Sequence, residues 1–341
     1  MEPVKHVRTL NFPTDHDLNL SGSNAELLRQ ADLVLTLEVD DIYGTLHHEG
    51  GYNPAGACLI ESGTKIISIG TKDLQRNSLV QGYMRFQPVF LGLNASVEQA
   101  LPDLVEGCRT VLRDTHVVEW RRERRRFLAE KKCDIRDKWL VKATRDGEGS
   151  EITRALLALE AWQVLKNEDF VIANGSLKGW VQRLWDLRQP KQWLGSSGGA
   201  GLGYGLGASL GAALAYRDKE TIIIDFQADG DFLFTPSALW TAAHYNLPVL
   251  IIMDNNRGYY NSYNHQSSVA NRRDRDHTNA ATGTLITDPS VDFVALARSF
   301  GIYAEGPVSD PKELSSALNR VTNFVKIQRR PALLEVLTID G

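Results

Sequence analysis

Cysteine is scarce in this sequence: Cys58, Cys108 and Cys133 are the whole complement of 341 residues. They are too few and too scattered for a disulfide framework or a zinc site, and they suit a reducing cytoplasm. No apolar run approaches the roughly 20 residues that cross a bilayer, and no signal peptide is recognisable, so no membrane role is expected. Neither charge dominates. A net charge of −4 gives no electrostatic case for nucleic acid or a membrane surface. The one basic run, Arg121-Arg122-Glu123-Arg124-Arg125-Arg126, has acidic residues around it and reads as the solvated face of a connecting helix. A glycine-rich fingerprint is also missing after the apolar run ending at Val39, which counts against a nicotinamide or flavin enzyme.

What is present is a series of short apolar runs alternating with helical periodicity, the pattern of an α/β protein with two domains. In the first domain, residues 23–30 read as a helix, 33–39 and 65–69 as strands, and 96–113 as a closing helix, about half of a doubly wound sheet. Residues 114–140 read as one long polar helix, and Arg145-Asp146-Gly147-Glu148-Gly149-Ser150 as a linker. The domains expected are therefore 1–145 and 146–341. An amphipathic helix at 151–165 and a strand at 170–173 open the second; helices at 292–300 and 311–326 and a strand at 332–338 close it. Trp180, Trp185 and Trp193 suit packing in a core or subunit contact better than stacking on a ligand.

The second domain is organised around residues 221–260. The run Thr221-Ile222-Ile223-Ile224 leads into Asp229-Gly230, and Val249-Leu250-Ile251-Ile252-Met253 leads into Asp254-Asn255-Asn256. Two buried parallel strands flanking a helix give this pattern, and they bring Asp229 and Asn256 together at the carboxyl edge of the sheet, where α/β proteins bind ligands. A carboxylate and an amide oxygen are hard donors suited to Mg²⁺ or Ca²⁺, and Gly230 admits a close ligand. A helix starting near Phe232 would aim its first N–H groups at the same place, favouring phosphate. The composite expected is a metal-bridged diphosphate. Upstream, residues 198–211 read GGAGLGYGLGASLG, which alone could mean only close helix packing. Downstream, Tyr259 to Gln266 is polar and aromatic; His265 suits acid–base work near neutral pH and equally a structural hydrogen bond. The charged loop 271–277 is either solvated or binds an anionic substrate tail.

Asp229-Gly230, an apolar strand, and Asn255-Asn256, with 27 residues from Asp229 to Asn256, together with the glycine-rich segment upstream, resemble the fingerprint of the thiamine-diphosphate enzymes related to acetolactate synthase, benzoylformate decarboxylase and benzaldehyde lyase. One departure is Ala228, where that family usually has glycine. Carried over position by position, the resemblance implies Mg²⁺ held by Asp229, Asn256 and the backbone carbonyl of Gly258. It implies thiamine diphosphate contacted by Ala200, Gly201, Leu202, Asp229, Gly230, Asp231, Asn256, Gly258 and Tyr259, with Leu202 as the aliphatic wedge supporting the folded cofactor. Asn261 and His265 would face the substrate.

The same resemblance implies a thiamine-diphosphate-binding fold, a doubly wound parallel sheet, preceded by the later part of a central α/β domain. The pyrimidine-binding domain, which comes first in the family and carries the glutamate that activates the cofactor, has no counterpart; Glu26, Glu38 and Glu49 lie in central-domain sequence. The chain is therefore expected to be one subunit of a split lyase, decarboxylase or carboligase acting on a 2-oxo acid or 2-hydroxy ketone. A second chain would supply the pyrimidine-binding domain, most simply in an α₂β₂ heterotetramer. A subunit like 2-hydroxyacyl-CoA lyase or oxalyl-CoA decarboxylase is the near alternative, and a non-catalytic cofactor-binding or regulatory subunit is the alternative of another class.

Overall fold

The computed structural model describes residues 10–22, 25–39, 41–48, 57–71, 86–112, 115–195 and 201–339. It divides into two compact units, Met1–Lys5 with Leu20–Cys133 and His6–Asn19 with Asp134–Gly341. The first contains α1 (Ala25–Arg29), β1 (Leu33–Leu37), α2 (Ile42–Leu46), β2 (His47–His48), β3 (Ala57–Cys58), β4 (Lys65–Gly70), β5 (Leu91–Asn94) and α3 (Val97–Val111). Strands β1, β4 and β5 form a parallel sheet in that order, with Val34 opposite Ile66 and Ile67 opposite Leu91. Ile66 and Ile69 are buried, but Leu33, Leu35, Leu37, Leu91 and Leu93 remain exposed.

Helix α4 (Thr115–Asp146) is continuous through the point of division. The division thus lies inside the helix, earlier than the linker expected at 145–150, because the last turns of α4 are built into the second unit: Ala143 is fully buried in the core containing Ile152 and Leu156, and Trp139 packs against it. Thr153 accepts a hydrogen bond from the Leu156 N–H and so starts the following helix.

In the second unit, β6 (Ile152–Thr153), α5 (Arg154–Leu165), β7 (Phe170–Asn174), α6 (Trp180–Leu184), α7 (Tyr204–Ala215), β8 (Ile222–Ala228), α8 (Asp229–Phe232), α9 (Ala238–His244), β9 (Val249–Asn255), α10 (Tyr260–Arg272), α11 (Phe293–Ser299), β10 (Tyr303–Val308), α12 (Pro311–Gln328) and β11 (Ala332–Ile339) follow in turn. The parallel sheet has the order β10-β11-β9-β8-β7, with β6 pairing at the end of β11. Successive side chains of a strand point to opposite faces. Accordingly Ile222, Ile224, Leu250 and Ile252 join one core with α5 and α12, while Ile223, Val249, Ile251 and Met253 join another with α7 and α11. Covering by helices on both faces is what makes these strands continuous apolar runs. Trp180 and Trp185 are buried in the first core, where the Trp185 Nε1–H donates to the Ala158 carbonyl at 2.8 Å, and Trp193 packs against it.

One expectation fails between β8 and β9. No single helix starts near Phe232: a four-residue turn of helix begins at Asp229 itself, and α9 begins only at Ala238. Pro236 disfavours helical geometry in the residue before it, which splits the segment. The helix anticipated from Phe232 is thus replaced by one short turn that begins three residues earlier, directly after β8.

Candidate functional site

Parallel pairing of β8 with β9, with Ala228 opposite Asp254, sets the ends of the two strands side by side. Asp229 follows directly from β8. Ala228, at φ −76° and ψ 142°, has extended backbone open to any residue, so alanine fits where the resembling family has glycine. The loop after β9 then folds back on Asp229: the Gly258 N–H donates to Asp229 Oδ2 at 3.0 Å and to Asn256 Oδ1 at 3.2 Å. Arg257 supplies the bend, at φ +62°. Glycine is needed at 258, since a Cβ there would lie 2.9 Å from the Thr284 carbonyl oxygen. The three residues expected to hold a metal thus meet around one backbone N–H.

Asp229 is almost completely buried. Burial lifts its pKa to about 6, with the Asp254 carboxylate adding to the rise and the N–H groups of Gly230, Gly258 and Arg257 opposing it. Asp254 itself is compensated, by Arg154 at 2.5 Å and by the Thr338 hydroxyl. Glu335 is also buried and its pKa raised, chiefly by burial; it accepts from Asn255 Nδ2 at 2.7 Å, and Asn255 Oδ1 accepts from the Arg257 N–H at 3.0 Å. Asp254 and Asn255 therefore tie the root of the metal-candidate loop into α5 and β11. A buried carboxylate and an amide oxygen that share the Gly258 N–H are hard oxygen donors of the kind a divalent cation such as Mg²⁺ takes. Among the described residues no group of three or more His, Cys, Asp or Glu side chains could hold a metal ion; the three residues expected to hold one include a single carboxylate.

The other expected residues fall into three groups. Gly230 and Tyr259 are in mutual contact: the Tyr259 hydroxyl donates to the Gly230 carbonyl at 3.1 Å, and a Cβ on Gly230 would stand 2.4 Å from the Tyr259 ring. What Gly230 admits at close range is this ring. Gly201 and Leu202 precede α7, with Leu202 at 52% exposure, while Ala200 lies outside the described residues. Asp231 does not face open space: it accepts the Gly203 N–H at 2.6 Å and the Gln227 amide at 2.7 Å. Asn261 and His265 stand one helical turn apart on α10, Asn261 exposed and His265 half-buried. His265 borders a cavity of about 280 Å³ with Arg273, Arg275 and Asp276 among its walls.

Sequence reasoning passed over Asn174, Asp225 and Gln227. Asp225 is completely buried in β8, and burial raises its pKa to about 7. Asn174 Nδ2 donates to Asp225 Oδ1 at 2.8 Å and to Gln227 Oε1 at 3.3 Å. The signal was available: Asp225 and Gln227 recur at the strand period within an otherwise apolar run.

Comparison with known proteins agrees with this geometry. Residues 173–336 match the family described as "Thiamine pyrophosphate enzyme, C-terminal TPP binding domain". The chain is 28% identical over 174 residues to a probable acetolactate synthase large subunit of Methanococcus aeolicus, covering 51% of this chain and 27% of that protein. It is 34% identical over 169 residues to the chloroplastic acetolactate synthase 3 of Brassica napus, covering 48% and 24% respectively. The fold is similar to that of the thiamine diphosphate-dependent 4-hydroxybenzoylformate decarboxylase of Rhodococcus jostii RHA1, with a TM-score of 0.63 and 19% identity over 99% of this chain and 55% of that one. The chain thus spans about a quarter of the length of these curated relatives and about half of that solved structure. Residues 173–336 thus belong to the family of C-terminal TPP binding domains of thiamine pyrophosphate enzymes, and it is within this domain that Asp229, Asn256 and Gly258 meet.

Proposed function

We propose that the chain carries the metal and diphosphate half of a thiamine-diphosphate- and Mg²⁺-dependent enzyme that makes or breaks a C–C bond next to the carbonyl of a 2-oxo acid or 2-hydroxy ketone. The observation that carries this reading is the convergence of Asp229, Asn256 and Gly258 on one N–H at the carboxyl edge of the sheet. In this reading Asp229, the Asn256 amide oxygen and the Gly258 carbonyl hold Mg²⁺, whose charge keeps the buried Asp229 ionised at neutral pH. When bound, the cofactor supplies the electron sink for cleavage or formation of the bond. Leu202, exposed at the mouth of α7, offers an apolar support for the cofactor's rings. In this reading His265, which borders a cavity, transfers protons, and Asn261, one turn away on α10, orients substrate.

A second polypeptide supplies the pyrimidine-binding domain and its glutamate. The exposed leucines of β1 and β5 support this, being an apolar sheet face suited to cover by another chain. The metal site is tested by calorimetry of Mg²⁺ and thiamine diphosphate with the wild type and Asp229→Ala. The variant is expected to lose Mg²⁺-dependent cofactor binding, and undiminished affinity would remove Asp229 from the site.

A further inference from the structure

We propose that Asp231 and Gln227 are positioning residues that lock the glycine loop bearing Leu202 to the turn bearing Asp229, an inference that rests on the thiamine-diphosphate reading of the site. Asn174, at the end of β7, pairs in register with Asp225 of β8. From there an unbroken run of hydrogen bonds crosses to the loop. Asn174 Nδ2 donates to Asp225 Oδ1 and Gln227 Oε1, Gln227 Nε2 donates to Asp231 Oδ2 at 2.7 Å, and Asp231 Oδ1 accepts the Gly203 N–H at 2.6 Å. On the other side of the same residue, the Gly203 carbonyl accepts from the Thr235 hydroxyl at 3.1 Å. Gly203 is thus held at both its N–H and its C=O by the segment that follows Asp229.

The glycines fit this lock closely. Gly203 sits at φ +86°, and a Cβ on it would lie 3.0 Å from Phe234 and Thr235. A Cβ on Gly205 would lie 2.3 Å from both Asn174 Nδ2 and Gln227 Oε1, so the first turn of α7 rests directly on the two amides. Leu202 is the residue next to the clamped Gly203, and its placement follows from the clamp.

The polarity of the run is fixed by its ends. A backbone N–H only donates and an ionised carboxylate only accepts, so Asp231 dictates which way the Gln227 amide faces, and Gln227 in turn orients Asn174. In Asp231→Asn, keeping the oxygen toward Gly203 sets an NH₂ against the Gln227 NH₂. Turning Gln227 over moves the same donor-to-donor conflict to Asn174. With Asn174 kept as the donor to Asp225 Oδ1 and to the Phe226 carbonyl, one bond is lost whichever way the amides at 227 and 231 turn, although size and shape hardly change. Adding Gln227→Glu reverses the polarity: the carboxylate introduced at 227 accepts both from Asn174 and from the amide introduced at 231, and only the 3.4 Å contact from Gln227 Nε2 to the Ala228 carbonyl goes unreplaced.

The test uses the full chain with Mg²⁺, titrated calorimetrically with thiamine diphosphate and separately with inorganic diphosphate, alongside hydrogen exchange of the 201–204 backbone. For Asp231→Asn, thiamine diphosphate affinity is expected to fall about tenfold, as for the loss of one charge-assisted bond. Inorganic diphosphate binding should change far less, and the Gly203 amide should lose protection. The double variant Gln227→Glu/Asp231→Asn should recover most of both. Wild-type affinity and exchange in the single variant would overturn the proposal. So would equal losses for the two ligands, which would assign Asp231 to the metal end, or a double variant no better than the single. If the wild type bound no thiamine diphosphate, the functional reading would fail, while the exchange pattern of the three proteins would still decide whether the lock exists.

Discussion

Asp225 is fully buried among isoleucines in the middle of a parallel strand, with a side-chain amide as its donor. Its pKa near 7 stands above the ordinary 3.8, so between about pH 4 and 7 the folded chain keeps a proton that the unfolded chain has released. Stability should therefore fall as pH rises through that window. At about 1.4 kcal/mol per pKa unit, the rise from 3.8 to about 7 makes the loss somewhat more than 4 kcal/mol. Asp225→Asn keeps the shape and removes the titration, so its stability relative to wild type should improve steadily from pH 4.5 to pH 7.5. Urea unfolding midpoints at the two ends of the range measure this; a constant difference between the proteins would mean that Asp225 is ionised throughout. The metal-candidate residues were legible because their spacing, 229 to 256, is a property of the chain alone. Asp225 and Gln227 stand out at the strand period, but what they and Glu335 do was not legible, because partners such as Asn174 and Asn255 lie on other strands.

At the scale of elements, the strands were the most legible part. Residues 249–253 are apolar without a break because helices cover both faces of the sheet, and the structure buries all of them. The connection from β8 to β9 was misread because one proline outweighs the surrounding helical pattern. Tyr259 to Gln266, which reads as a polar aromatic stretch, lies almost wholly in the helix Tyr260–Arg272, and such a segment has no apolar stripe by which to announce itself; of the charged loop 271–277 only the first two residues are helical. Glycines show the same dependence on context. In Gly230→Ala the new methyl meets the Tyr259 ring, which joins α8 to the start of α10, and a loss of about 1–3 kcal/mol is expected. In Gly207→Ala, inside α7, the methyl meets nothing within 4 Å, and a gain of up to about 1 kcal/mol is expected from helix propensity alone. Thermal unfolding of the two variants should move in opposite directions. A destabilised Gly207→Ala would show that the open face of α7 is covered in solution.

At the scale of the whole molecule, the two units are unequal. The second has a six-stranded sheet with helices over both faces, whereas the first has three parallel strands with leucines of both β1 and β5 exposed. An exposed apolar face of this kind suits association, and on the reading proposed above a second chain covers it. The chemistry asks for the same thing. On the reading proposed above, the cofactor's aminopyrimidine would need a pocket and a partner carboxylate, and in the second unit the carboxylates described at the sheet edge are engaged by the metal-candidate loop, by Arg154 or by Gly203. The expected outcome is that this chain, supplied with thiamine diphosphate and Mg²⁺, binds cofactor yet turns over no 2-oxo acid or 2-hydroxy ketone, and that a polypeptide carrying the pyrimidine-binding domain restores turnover. Co-purification should then give one complex containing both chains, with a mass by light scattering that is a multiple of the pair. The leucines of β1 and β5 should become protected from hydroxyl-radical labelling in the complex, which ties the apolar face to the catalytic requirement. Robust turnover by this chain alone would overturn the reading, because the proton-accepting carboxylate would then have to come from within it.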